Sequence, residues 1–175
     1  AAEPHLPEVC AAIEGSAKPV VACLFGTTLG GGYEIALAAH ARLAAPGTKV
    51  GFPEIGLGVL PGAGGTQRLP RVVAVTDAID MLLSGKAVDV SAHREKGFVD
   101  GIVDGDLVSA GVTYAKNLAA EPVQPIRARR DRFQDAFGYQ AAVDAARRDA
   151  GTSKSRAAIA ILECVEAAPL LLFDQ

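Results

Sequence analysis

Two glutamates and two glycine-rich stretches are the parts of this sequence that could do chemistry. Glu34 follows Gly30-Gly31-Gly32-Tyr33, and Glu54 lies twenty positions later, after Phe52-Pro53. The second stretch, Gly56 to Gly65 (GLGVLPGAGG), begins two residues after Glu54. Glycines lack a Cβ and let a backbone come close to a ligand. At the start of a helix the first N–H groups have no intrahelical acceptor and lie at the positive end of the dipole. Such a place suits a phosphate or the oxyanion of a reacting carbonyl. The phosphate fingerprints GxxxxGK[ST] and GxGxxG with a later ribose-binding acid are absent, which disfavours nucleotide binding. From the glycines alone, an oxyanion hole and plain close packing of a helix on a strand remain equally good readings. Taken singly, Glu34 is an acid matched to a helix dipole and Glu54 a solvated loop residue. Together, each beside a glycine-rich helix start, they can split the roles of base and acid. The chemistry that suits such a pair is proton transfer next to a thioester or other carbonyl.

The elements that must position these residues follow from periodicity. Apolar residues at helical spacing over 7–15 are broken by Lys18-Pro19, and Val20 to Phe25 reads as a fully buried strand ended by Gly26. Gly26 to Gly32 then links that strand to a helix over 33–40 made of good helix formers. Leu43-Ala44-Ala45 and Lys49 to Phe52 read as short strands about a Pro46-Gly47 turn, and Thr66 opens a further helix. Val75, Ile79, Leu82 and Leu83 mark one face of a helix closed by Ser84-Gly85. Ser91 is expected to N-cap a short helix ending near Gly97. A strand is expected over 98–103, a helix over 107–118 stopped at Glu121-Pro122, and helices over 126–136, 139–149 and 153–167. This order, β/α alternation followed by a helical tail, implies an α/β fold with a parallel sheet and crossover helices.

Composition closes off other classes. The chain has 175 residues, half of them hydrophobic and 21% charged, so it can bury a core and is not disordered. A net charge of −3 argues against general nucleic-acid binding, and no apolar run is long enough to span a bilayer as a helix. Cys10, Cys23 and Cys164 are far apart, and His5, His40 and His93 have no paired ligand spacing, so no metal site is expected. Dispersed thiols and the lack of a secretory leader suit a reducing cytoplasm.

Several segments carry a specific resemblance. Lys18 to Ala22 (KPVVA), Gly26 to Ala36 (GTTLGGGYEIA), Gly51 to Pro70 (GFPEIGLGVLPGAGGTQRLP) and Leu83 to Asp100 resemble the enoyl-CoA hydratase/isomerase, or crotonase, family, with Phe98 where Leu is common. The wording is most similar to the hydratase part of bifunctional fatty-acid oxidation enzymes, which carry a 3-hydroxyacyl-CoA dehydrogenase domain downstream. The match runs from about residue 7 to 120 and more loosely beyond. It implies a ClpP/crotonase-like α/β fold of ββα-type repeats, with a core over 1–125 and a helical C-terminal region over 126–175. It implies that Glu34 and Glu54 are the catalytic glutamates that handle water. It also implies that Gly31 is an oxyanion-hole donor, and that Gly30, Gly32, Pro61 and Gly62 line the substrate pocket. The implied reaction is hydration of a trans-2-enoyl-CoA to a 3-hydroxyacyl-CoA in β-oxidation, with acyl-CoA as substrate and no cofactor. The implied assembly is a trimer or hexamer, as in single-domain relatives, or a monomer or dimer, as in bifunctional ones.

One departure matters. The family's first oxyanion donor lies in an A-G-A-D-type segment ahead of the helix that opens this chain, so the N-terminal part of the fold is expected to be missing from residues 1–175. Either the gene product is longer or this piece alone is inactive. An enoyl-CoA isomerase working with one glutamate, or a non-catalytic acyl-CoA-binding module, are the rival readings. Among weaker candidates, the eight Arg and Lys over 125–156 face CoA phosphates or form a solvated, ion-paired surface. Tyr33 is packing or a pocket wall, Gln67 and Arg68 cap or pair locally, and Asp100, Asp104 and Asp106 are turn acids. His40 lies on the helix of Glu34 but on another face.

Overall fold

The computed structural model describes residues 4–120, 122–150 and 155–173. Helix α1 (Leu6–Glu14) leads into strand β1 (Val21–Leu24). The chain then turns through Gly26, at φ +63°, into β2 (Thr27–Leu29) and enters α2 (Gly31–Ala38). Strand β3 (Ala41–Ala44) repeats the step, turning through Gly47 at φ +74° into β4 (Lys49–Gly51). These left-handed corners favour glycine. They move the chain from one sheet to another: β1 pairs with β3 in parallel, and β2 pairs with β4 in parallel. The corners are tied together, since Lys49 N–H donates to the Gly26 carbonyl at 2.8 Å. Two strands followed by a helix form the ββα unit that the resemblance implied.

Each sheet gains a third strand. β5 (Val88–Asp89) adds antiparallel to β4, and β6 (Gly101–Ile102) adds parallel to β3. Short α3 (Gly65–Arg68) and then α4 (Val75–Ser84) lie between β4 and β5 in sequence. Helix α4 ends at Gly85, at φ +67°, whose N–H caps Met81. Helix α5 (Leu107–Leu118) packs on β1 through Gly111, where any Cβ would overlap Cys23 Sγ. Helices α6 (Ala136–Ala150) and α7 (Arg156–Ala167) pack on each other and on α4. One core of Leu37, Phe52, Leu69, Val73, Leu82, Ile161 and their neighbours runs under both sheets and into these helices.

Several expectations change here. The first glycine stretch contains β2, so it is no simple loop, and the helix starts two residues earlier than its composition suggested. Strand β1 is mostly half-buried, and Phe25 is 76% exposed at the corner. Ser91 caps no helix: its Oγ accepts the Gly47 N–H, and only a 3₁₀ turn at Arg94–Lys96 follows. The strand expected over 98–103 shrinks to two residues, because Phe98 O is taken by the Tyr33 hydroxyl and Asp100 turns to Arg42. The helix expected over 126–136 is two 3₁₀ turns, Ile126–Ala128 and Asp131–Phe133. The stop at Glu121 and the expected start at residue 153 lie outside the described residues.

Candidate active site

The two glutamates come to one place from different elements. Glu34 sits in the first turn of α2 with its side chain buried. Its Oε1 accepts two backbone hydrogen bonds, from Ala63 N at 2.7 Å and Gly65 N at 2.8 Å. Glu54 projects from the 3₁₀ turn Pro53–Leu57 that follows β4. Its Oε2 is buried and has no hydrogen-bond partner among the described residues. Burial pushes the Glu54 carboxyl above the ordinary carboxylate range; its own backbone N–H opposes this, and the neighbouring Glu34 charge adds to it.

The glycines hold the two acids in register. Gly30 N–H donates to the Gly51 carbonyl at 2.9 Å, extending the β2–β4 pairing up to the helix start. Gly30 has φ +54° and ψ −129°, a conformation rarely open to other residues. A Cβ there would lie 2.7 Å from Glu54 Oε1, so the carboxylate rests on the bare Cα of Gly30. Gly31 and Gly32 are the first two helical residues, and their N–H groups have no acceptor within α2. Gly31 also serves packing, since Leu6 Cδ2 of α1 lies 2.8 Å from where its Cβ would be. Gly32 is exposed. Pro61 is buried and Gly62 is exposed with open space beside it, just before the Ala63 N–H that holds Glu34. Tyr33 and Phe52 pack ring to ring at 5.4 Å behind the acids, and burial raises the Tyr33 phenol above its ordinary value. The structure therefore brings Glu34, Glu54 and Gly30 to one place, with Gly31 at the start of α2 and Pro61 and Gly62 just before the Ala63 N–H that holds Glu34.

Other candidates settle elsewhere. His40 is not on α2: it follows the helix end, and its Nδ1 accepts the Val20 N–H at 3.0 Å. Asp100 is more than a turn acid, since it accepts from Arg42 N and pairs with the Arg42 guanidinium. Asp106 caps α5 by accepting Ser109 N–H at 3.0 Å. Arg129 pairs with Asp131 and Arg147 with Asp144 and Glu166 in partly exposed ion pairs, whereas Arg127 donates its backbone N–H to the buried Glu14 at 3.0 Å. Lys154 lies outside the described residues. Gln67 and Arg68 do not simply pair locally. Gln67 Nε2 reaches the Cys164 carbonyl, and Arg68 reaches Glu14, 54 positions away. Glu14 went unread in the sequence. The available signal was its helical register: it shares the face of Leu6, Cys10 and Ile13 on α1, where an acid needs a buried partner.

Strands that step between two sheets, helix crossovers and paired acids at a glycine-opened helix define an α/β protein of the crotonase fold. An enoyl-CoA hydratase from Bacillus anthracis shares it, with TM-score 0.62 and 29% identity over 89% of this chain and 58% of that one. DspI of Pseudomonas aeruginosa shares it with TM-score 0.63 and 30% identity over 85% of this chain and 64% of that one. The chain belongs to the enoyl-CoA hydratase/isomerase family, whose match covers residues 3–158. It is 47% identical over 112 residues, 63% of its length, to the peroxisomal fatty acid beta-oxidation multifunctional protein AIM1 of Arabidopsis thaliana, covering 16% of that protein. It is 34% identical over 94% of its length to a peroxisomal bifunctional enzyme of Danio rerio, covering 23% of that protein. The chain thus spans less than a quarter of these two curated relatives. Among the described residues no helix is long and apolar enough to cross a membrane, and no group of His, Cys, Asp and Glu gathers as metal ligands.

Proposed function

We propose that this chain carries the hydratase site of an enzyme that adds water across the 2,3 double bond of a trans-2-enoyl-CoA, giving a 3-hydroxyacyl-CoA. The observation that carries this reading is the unpartnered, buried Oε2 of Glu54 next to the firmly held Glu34. A buried carboxylate oxygen without a partner costs stability and marks a place prepared for a ligand. Water bound between the two carboxylates gives up a proton to Glu34 as its oxygen bonds to C3. Glu54, whose raised pKa favours the acid form, delivers a proton to C2. The C2=C3 π bond, one water O–H and the Glu54 O–H break while C3–O, C2–H and the Glu34 O–H form; proton exchange with solvent then returns Glu34 to the carboxylate and Glu54 to the acid, and no redox partner is required. The Gly31 N–H at the start of α2 stabilises the thioester oxygen as charge develops there. Fatty-acid β-oxidation, which the names of the plant relatives carry, is the setting this implies. The three free cysteines suit a reducing compartment.

The test is crotonyl-CoA hydration by the full-length gene product, followed by loss of the conjugated thioester absorbance. The wild-type protein turns over, and Glu54→Gln lowers kcat by about 10²–10⁴-fold. A folded wild-type protein that leaves the absorbance unchanged overturns the reading. Double-bond migration that survives Glu54→Gln would favour an isomerase using Glu34 alone.

A further inference from the structure

Behind the acids, a buried ion pair grips the loop that holds Glu34. Arg68 lies on α3 and Glu14 at the end of α1, each almost wholly buried. Arg68 donates to Glu14 through Nε at 3.2 Å and Nη2 at 2.7 Å, a two-pronged contact that fixes the guanidinium plane. Its remaining arm, Nη1, donates to the Ala63 carbonyl at 2.7 Å. That carbonyl belongs to the peptide between Ala63 and Gly64. The peptides on either side of it supply the Ala63 and Gly65 N–H groups that Glu34 Oε1 accepts. Three successive peptides are therefore pinned alternately, to the carboxylate on one side and to the guanidinium on the other. Gly64 makes this compatible: it sits at φ +93°, and any Cβ there would collide with Arg68 Nη1. A buried ion pair is weak support for stability alone, because desolvation offsets most of the attraction. Its third contact gives this one a different use.

We propose that Arg68, oriented by Glu14, is a positioning residue for Glu34: it holds the middle peptide of the 62–65 turn so that the flanking N–H groups converge on Glu34 Oε1. Lysine would keep the charge but lacks the planar fork, and cannot hold Glu14 in two places and Ala63 at once. The consequence for rate rests on the hydratase reading, but the geometry itself is readable without substrate.

The experiment compares wild type, Arg68→Lys and Glu14→Gln as full-length gene products, by steady-state hydration of crotonyl-CoA and by ¹H–¹⁵N spectra of the unliganded proteins. The Ala63 and Gly65 amide signals move in Arg68→Lys, while signals of strands β1 and β3 stay in place. kcat falls about tenfold to a hundredfold with KM nearly unchanged, the loss expected when a reacting group is slightly misplaced. In a Glu34→Gln background the same change costs nothing further. Should Arg68→Lys fail to fold, Glu14→Gln is read by the same signals. Unmoved amides in a folded variant, an unchanged kcat, or an additive loss on top of Glu34→Gln overturns the proposal. Moved amides in a protein with no hydratase activity would support it while overturning the hydratase reading.

Discussion

The two glycine-rich stretches look alike in sequence and behave differently in the fold. In the first, each glycine ahead of Tyr33 has its own circumstance: Gly30 carries the Glu54 carboxylate, Gly31 admits Leu6, and Gly32 faces outward. In the second, Gly56, Gly58 and Gly62 have open space where a Cβ would be, whereas Gly64 and Gly65 are pressed by Arg68 and by the Phe52 ring. The first stretch is a strand extension fixed by the Gly30–Gly51 hydrogen bond. The second is open along its first half and tied down where it meets Glu34. Glycine content alone therefore does not mark a ligand loop. What distinguishes Gly30 and Gly64 is the charged group each one touches, Glu54 and Arg68, whereas Gly31 and Gly65 meet apolar side chains first.

The largest effect that would break this contrast is expected at Gly30. Gly30→Ala forces a side chain into a conformation that costs about 1–3 kcal/mol and drives it into Glu54. Its melting temperature should fall, and its hydration activity should fall with Glu54 displaced. An active Gly30→Ala protein of unchanged stability would refute the contact.

A smaller effect reads the burial of Glu54 through pH. Burial raises the Glu54 pKa in the folded protein, so the stability it lends is present at low pH and is lost as pH rises through that raised value. Glu54→Gln should therefore gain stability relative to wild type between acidic and neutral pH, measured by melting at both. A Gln variant that is relatively weaker at neutral pH would contradict the burial of that carboxyl. The smallest effect belongs to Gly56, in open space: Gly56→Ala should leave stability unchanged or raise it by up to about 1 kcal/mol. A marked loss in denaturant titration would show that the open half of the loop is packed after all.

Much of this arrangement was legible from residue order. The helices α1 and α4 follow their apolar spacing, α5 has its expected bounds, and Glu34 and Glu54 stand out because each adjoins a glycine-rich helix start. The division into two sheets was not legible. Thr27-Thr28-Leu29 is too short and too close to glycine to declare a strand, and Pro46-Gly47 has the composition of a hairpin turn although it joins strands of different sheets. The partners of Glu34 lie 29 and 31 positions away on backbone atoms, which carry no residue signature. Nothing in the sequence around Arg68 names Glu14, which comes near through the packing of α1 and of α3 on α2.

In the proposed hydration, Glu34 and Glu54 work as one unit on a single water. The most direct measurement is crotonyl-CoA hydration by Glu34→Gln, Glu54→Gln and the double variant of the full-length gene product. Groups that act together lose their effect together, so the double variant should be no slower than the worse single one. Losses that multiply would show two independent contributions and contradict the account.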